Sequence, residues 1–320
     1  MAHITNTLAT VDQLYRRNTL DALPQDLQDT IFYATQCLTQ AAGILLRLPQ
    51  SATAQANVVL ARYWLVDSAL ANEFSDVSAA TLFLTAKLGS HPCQPRDICN
   101  VYTYLLSPSS PLFQFPSTDP PPNDPSAYYL SEGAYTAFHN RILRLEARIV
   151  YSLSFDTHVA LPHPLAITYL QALDFLSQPK AKVSQRVVEY LNTALLSPQL
   201  LYLTHQPNAL AVAAIYSAAR DVGAKMPDCA WWEVFDVDRE ELGFLVVGMR
   251  SLEGWVRKQR DEVEGLLGQG MVTRKGVEAE MRKRGLGVGN GGNGAPGPEE
   301  EDEEAAMMRK LDERVAMVED

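Results

Sequence analysis

The chain has 320 residues, 47% of them apolar, enough for one large core or two medium ones. It has no run of about 18 uncharged apolar residues, which excludes a transmembrane helix and a membrane partner of that kind, and Met1–Leu14 lacks the basic start and apolar block of a secretory signal. The formal net charge of -11 is uneven: Asn290–Asp320 holds ten acids against three bases, leaving -4 for everything before it, so no direct nucleic-acid partner is expected.

The chain reads as nearly all helix. From Leu27 to Leu48, Ile31, Ala34, Leu38, Ala41, Leu45 and Leu48 recur at steps of three and four and form one buried stripe, which Pro49 stops. Further helices are expected over Ala54–Leu70, over Asp76–Leu88 with Ser75 or Asp76 as cap and Gly89 as stop, and over Arg96–Leu106. Glu132–Leu153 places Tyr135, Phe138, Ile142, Leu145 and Ile149 on one face, and His163–Phe175 follows. The pattern then restarts with Val183–Leu196, Pro207–Val222, a short Trp231–Phe235 and a long amphipathic Glu240–Arg260. No stretch alternates with period two, so no sheet is expected.

Ser78–Lys87 aligns with Ala211–Arg220. Both are rich in small residues, apolar almost all round, and end in Ala plus one base. Such a helix must be surrounded by others, so one in each half implies two similar helical lobes. Ser107–Ser126, with seven prolines, reads as a surface loop. Gly285–Asp320, a Gly/Asn/Pro tract followed by the acids Glu299–Glu304, has the composition of a disordered tail, with room for a short helix near Ala305–Val318.

Catalytic signatures are missing: there is no nucleophile elbow, P-loop or H-E-x-x-H. Gly287–Gly292 imitates a phosphate loop but follows no strand. His158 and His163 have no third ligand nearby, and Cys37, Cys93, Cys99 and Cys229 are scattered with no C-x-x-C, so neither a metal nor a disulfide frame is expected. The residues alone favour a binding module with no catalytic residue, no cofactor and no metal. An all-helical enzyme would need a titratable pocket between the lobes.

Gln40-Ala-Ala-Gly-Ile-Leu-Leu-Arg-Leu-Pro-Gln50 resembles, almost letter for letter, the segment leading into the first cyclin box of L-type cyclins. Arg96–Tyr102, Leu143–Asp156 with its Leu-x-Phe turn, His158–Leu170, and the Gln206-Pro and Trp232-Glu-Val-Phe segments are similar to successive parts of the two boxes. The resemblance spans Pro24–Arg260. It implies an all-α fold of two cyclin-box lobes of about five helices each, with an N-terminal helix and a disordered tail. The expected divisions are 1–50 (N-terminal segment), 51–176 (first box, with the Pro-rich loop 107–126), 177–262 (second box) and 263–320 (acidic tail).

The same resemblance implies a regulatory subunit, nuclear and not itself an enzyme. Its partner would be a cyclin-dependent serine/threonine kinase, bound as a heterodimer and activated in transcription or pre-mRNA processing, with transcription or splicing factors as further partners. The family's kinase-contacting lysine and glutamate, assigned to the second and fourth box helices, carry over to Lys87 and Glu146. The third and fifth helices would add the apolar contacts, with Ile98, Val101, Tyr102 and Leu105 as candidates. Without that resemblance, Lys87 complements its helix C-terminus, or the two residues pair with each other. The chain departs from the pattern in two places: no acids follow Lys87 (Leu88-Gly89-Ser90), and there is no arginine-serine-rich tail. The first departure suits an alternative, a cyclin-fold scaffold for transcription machinery without a kinase. Ser107-Pro108, Ser110-Pro111 and Ser197-Pro198 are minimal phosphosites for a proline-directed kinase. Lys275, Arg282, Lys283 and Arg284 form a loose basic cluster of the nuclear-import kind.

Overall fold

The computed structural model describes residues 4–20, 23–113, 124–176, 181–261, 266–268 and 270–286, which carry twelve α-helices and no strand. The tail from 287, with its glycine tract, acid run and expected short helix, lies outside them, as does 114–123 of the Pro-rich loop.

The first lobe is built from α2 (Gln25–Leu45), α3 (Gln50–Val66), α4 (Phe74–Leu88), α5 (Pro95–Leu106) and α6 (Glu132–Ser152), preceded by α1 (Val11–Leu20), which packs on α3. At its centre α4 buries every residue from Phe74 to Ala86 against α3, α6, α2 and α5. Its small residues Ala79, Ala80 and Ala86 admit close neighbours. Its polar ones are satisfied inside: Ser78 Oγ lies 2.7 Å from both Thr39 Oγ1 of α2 and the Tyr102 hydroxyl of α5. Most buried hydroxyls are paired in this way. The helix begins one or two residues before the expected caps. Ser75 and Asp76 sit in its first turn, where Asp76 complements the dipole and binds Arg141 at 2.8 Å. It ends at Gly89 as expected.

The second lobe repeats the plan. It comprises α7 (Pro162–Ala172), α8 (Ala181–Leu195), the short α9 (Leu201–Thr204), α10 (Pro207–Val222), a 3-10 turn at Trp231–Phe235 and α11 (Arg239–Asp261). Here α10 is the buried centre, packed by α8, α7 and α11.

This assigns α7 differently from the sequence reading, which closed the first box at 176. The helix packs on α10 and α8, and Tyr169 stacks on Phe235 at 4.0 Å, so the second lobe starts at α7 and the first starts at α2. Periodicity shows that α7 is half-apolar but does not say which core takes that face. The tail boundary at 263 also shifts. Thr273 caps a further helix, α12 (Arg274–Lys283), that buries Val277 and Met281 and ties back to the first lobe through Arg284 to Asp26 (2.6 Å) and the Arg274 amide to Glu73 (3.1 Å). Its apolar anchors are too few to stand out among its charges.

The N-terminal segment joins the lobes. The Asn6 side chain donates to the Ala160 carbonyl (2.8 Å) and accepts from the Ala160 amide (2.7 Å), while Gln206 pairs with both backbone groups of Asn6 (3.0 and 3.1 Å). Arg62 of α3, buried, donates to the His158 carbonyl at 2.6 Å. The Ala9 amide donates to the Leu203 carbonyl at 2.7 Å.

The close approach of α2 to α3 depends on Gly43, in the last turn of α2. A Cβ there would stand 2.3 Å from Thr53 Oγ1 and 2.6 Å from its Cγ2. Gly43→Ala is expected to destabilise the protein by about 1–3 kcal/mol through overpacking, read as a lower urea midpoint, and Gly43→Ala/Thr53→Ala is expected to recover part of the loss.

Candidate functional site

Burial of α4 ends at Ala86, and Lys87 is the first side chain the helix delivers to solvent. On α6, which packs along α4, Phe138, Ile142, Leu145 and Ile149 face the core, and Glu146 lies at the edge of that stripe. The two meet: Lys87 Nζ donates to Glu146 Oε1 at 3.0 Å, with Lys87 59% exposed and Glu146 13%. Lys87 Nζ also lies 5.6 Å from the Phe83 ring centroid. An ion pair open on one side contributes roughly 0–1 kcal/mol, so either partner can exchange it at little loss. An ammonium has three donors and a carboxylate several lone pairs, which leaves capacity for a partner's backbone.

Exposed apolar side chains lie near this pair on α4 and α6, among exposed arginines such as Arg144 and Arg148. Leu88 is 62% exposed, and Leu143, Ala147 and Tyr151 follow at i, i+4 and i+8 on the outer face of α6. Tyr151 (71% exposed) meets Phe155 (66% exposed) edge-to-face, with centroids 5.4 Å apart. Phe155 is held there by a left-handed turn: Ser154 and Phe155 have φ of 52° and 65°, and the Phe155 amide closes on the Val150 carbonyl at 2.9 Å. A bulky residue at positive φ carries strain, here used to leave an aromatic ring in solvent.

The other sequence candidates fare differently. Ile98, Tyr102 and Leu105 are buried in the first lobe, with the Tyr102 hydroxyl inside the Thr39–Ser78 network. They offer no surface to a partner, and the expectation that they touch one is corrected accordingly. Val101 is partly exposed. Counted from α2, Lys87 and Glu146 lie on the third and fifth helices of the lobe, one later than assigned. Leu88, Leu143, Tyr151 and Phe155 replace the buried candidates. Leu143 and Tyr151 had a signal in the sequence, since α6 carries apolar residues on both faces, more than one stripe needs; Leu88 and Phe155 lie outside α6 and had none of that kind.

The proline-directed serines are also placed. Ser107, Ser110 and Ser197 are buried, which makes them poor kinase substrates in the folded chain. The described flanks of the Pro-rich loop pack as well, with Phe113 buried against Tyr33. His163 Nε2 lies 3.0 Å from Asn192 Oδ1, and burial lowers its pKa and favours the neutral ring. Among the described residues no group of three or more His, Cys, Asp or Glu is placed to hold a metal, and no helix is long and apolar enough to cross a membrane.

Beside the site, Arg148 of α6 grips Asp67 at the end of α3 with two bonds, 2.6 and 2.9 Å, and the Tyr63 hydroxyl adds a third at 2.6 Å. Burial works to raise the Asp67 pKa, but the bonds from Arg148, Tyr63 and the Ser68 amide outweigh it and lower it.

No family model matches the chain. It is 32% identical over 224 residues to an uncharacterized cyclin-L1-like protein of Schizosaccharomyces pombe, covering 68% of this chain and 82% of that protein. It is 30% identical over 239 residues to human cyclin-L2, covering 71% of this chain but 43% of the human protein, so it spans less than half the length of that relative. In three dimensions it is similar to a chain of the yeast RNA Pol II CTD kinase CTDK-1 complex (TM-score 0.62, 15% identity, 90% of this chain and 86% of that one). It is also similar to one of the Chaetomium thermophilum CAK complex bound to ATP-gamma-S (TM-score 0.54, 14% identity, 87% and 84%). At that identity the structural likeness speaks for the fold.

Because the Asp67 pKa is lowered on folding, its contribution is complete above the unfolded value of about 3.9 and is lost as pH falls through the folded value. Asp67→Asn is expected to lower stability by about 1–3 kcal/mol at pH 7. In urea titrations against pH, the gap between wild type and variant should close over that acid window.

Proposed function

This chain belongs to the cyclin family, with L-type proteins among its relatives, and from that premise we propose that it binds a cyclin-dependent serine/threonine kinase through the Lys87–Glu146 face and holds it in its active conformation. As a cyclin it is a regulatory subunit and not the enzyme. The observation that carries the reading is the pairing of these two residues, at the positions matching the family's kinase-contacting lysine and glutamate, near exposed apolar side chains.

Physically, an active kinase needs its β3 lysine paired with a glutamate of its C-helix. A partner that packs on that helix only in its inward position shifts the population toward the active form by differential contact. Leu88, Tyr151 and Phe155 would supply most of that contact. Covering a side chain of this size contributes about 1.5–3 kcal/mol, well above the roughly 0–1 kcal/mol given up when the ion pair opens. Lys87 would donate to kinase carbonyls and Glu146 accept from kinase amides, which fixes register more than affinity.

The cellular setting belongs to the same proposal. L-type relatives and the likeness to a chain of an RNA polymerase II CTD kinase complex support a role in transcription, with pre-mRNA processing as the finer expectation. Nuclear residence rests on the family. The basic cluster adds little to it, because it is folded into the end of α12, where Arg284 binds Asp26 and Glu280. The missing acids after Lys87 favour the scaffold reading, in which the same face holds transcription machinery and no kinase.

The test is retention of cyclin-dependent kinases by the tagged chain, with circular dichroism to verify folding. Lys87→Ala/Glu146→Ala and Tyr151→Ala/Phe155→Ala are each expected to reduce retention about tenfold or more while leaving the fold intact. If a folded wild type retains no kinase, the scaffold reading replaces this one. If both variants retain it fully, the kinase binds elsewhere.

A further inference from the structure

The second lobe carries a cleft of about 690 Å³ walled by α8, α10 and α11, with Tyr33 of α2 at its edge. Neither Lys87 nor Glu146 lines it. Its charged lining is Arg186 of α8, and Arg250, Arg257 and Arg260 of α11, against Glu189, Asp221 and Glu253. Four bases against three acids give a local excess of positive charge in a chain whose formal charge is -11.

The arginines fall into two groups. Arg186 and Arg250 both bind Asp221, Arg186 at 3.1 Å, and the Tyr190 hydroxyl donates to the same carboxylate at 2.6 Å. Arg186 also reaches Glu189 at 2.9 Å. These bonds brace α8, α10 and α11 and fix the inner end of the cleft. Arg257 lies two turns further along α11, and its bond to Glu253 (3.0 Å) is an exposed pair one turn apart. Such pairs are weak and yield to a stronger anion. Arg250, Arg257 and Arg260 follow one helical face over about 15 Å at 1.5 Å per residue. Between the charges the wall is apolar, with Met249 and Leu252 buried and Val256 beside them.

We propose that this cleft binds a phosphorylated peptide segment of a partner protein, laid along α11 with its phosphates on Arg250, Arg257 and Arg260. A phosphate dianion carries three strong acceptors that match the planar guanidinium fork and compete well against a neighbouring carboxylate. An extended peptide rises about 3.3 Å per residue, so roughly five residues span the arginine file. The three carboxylates favour peptide over nucleic acid. They oppose a backbone charged at every unit, whereas a peptide brings charge at chosen positions and amide donors between them. The apolar wall suits intervening side chains. This site is independent of the kinase-facing reading and would recruit a partner that has already been phosphorylated.

The experiment uses the full chain and fluorescence anisotropy near physiological salt. The probe is a labelled peptide of about ten residues with two phosphoserines three positions apart, matching the roughly 10.5 Å rise between Arg250 and Arg257. Its unphosphorylated form and a single-stranded RNA of similar length serve as comparisons. Saturable binding is expected, about tenfold or more tighter than the unphosphorylated peptide. Arg257→Glu/Arg260→Glu is expected to weaken it by a similar factor with the helical fold retained by circular dichroism, because both side chains are exposed. Lys87→Ala/Glu146→Ala is expected to bind the peptide as wild type does, so failure of the kinase reading and failure of this one are separately visible. The proposal is overturned by equal affinity for the two peptides, by indifference to the charge reversal, or by RNA binding more tightly than the phosphopeptide.

Discussion

A helix buried on every side can place charge only at its ends, and each lobe of this protein is organised around one such helix. In α4 every side chain from Phe74 to Ala86 is enclosed, and in α10 the same holds for Ala209–Ile215 and Ser217–Ala219. The surrounding helices are arranged to supply that enclosure, since an apolar surface left open on any side would forfeit its burial. The polar chemistry of both lobes then gathers where enclosure stops. In the first lobe that point is Lys87, which meets Glu146. In the second it is Asp221, two residues past Ala219, which gathers Arg186, Tyr190 and Arg250. The internal similarity between Ser78–Lys87 and Ala211–Arg220 therefore marks equivalent positions in two related cores.

The two exits are used differently. Lys87 emerges near the exposed apolar side chains Leu88, Leu143 and Tyr151, so a weak ion pair sits close to surface suited to burial by a partner. Asp221 emerges beside α8 and α11, which bring Arg186 and Arg250 to it, so the second exit becomes a cross-brace at the inner end of a cleft. The lobes share a continuous apolar core, with α3 packed on α8 and α9, and a set of specific polar bonds joins them as well. Asn6 reads the backbone of Ala160, Gln206 reads the backbone of Asn6, and Arg62 reaches the His158 carbonyl. Bonds of this kind fix orientation more than they add stability, because each replaces a bond to water.

Much of this was legible in the residues. The amphipathic stripe of α6 pointed to its buried face, the Ala-rich runs to the two centres, and the Gln40–Gln50 segment to the family. Lys87 and Glu146 are singled out by the resemblance, and the structure pairs them with each other, the arrangement the residues alone also allow. The errors share a cause. Ile98, Tyr102 and Leu105 look like interface residues because an apolar residue on an amphipathic helix reads the same whether a core or a partner covers it. The assignment of α7 to the first lobe failed for the same reason, since period 3.6 identifies a face and not its destination. Phe155 was hidden because its exposure depends on a left-handed turn that no glycine announces, and α12 because two apolar anchors, Val277 and Met281, hold a helix otherwise rich in charge.

The clasp at Asn6 also sets an order of events during synthesis. Its partner Gln206 lies 200 residues away. At about 5–20 residues per second, a ribosome needs on the order of 10–40 s to deliver that partner. Through that interval the first lobe can close around α4, but the N-terminal segment has nothing to bind at one of its two ends. Its bonds to Gln206 must wait until α10 begins to emerge. The clasp therefore closes only once Gln206 has been made, and a chain interrupted before it would leave both backbone groups of Asn6 without that partner.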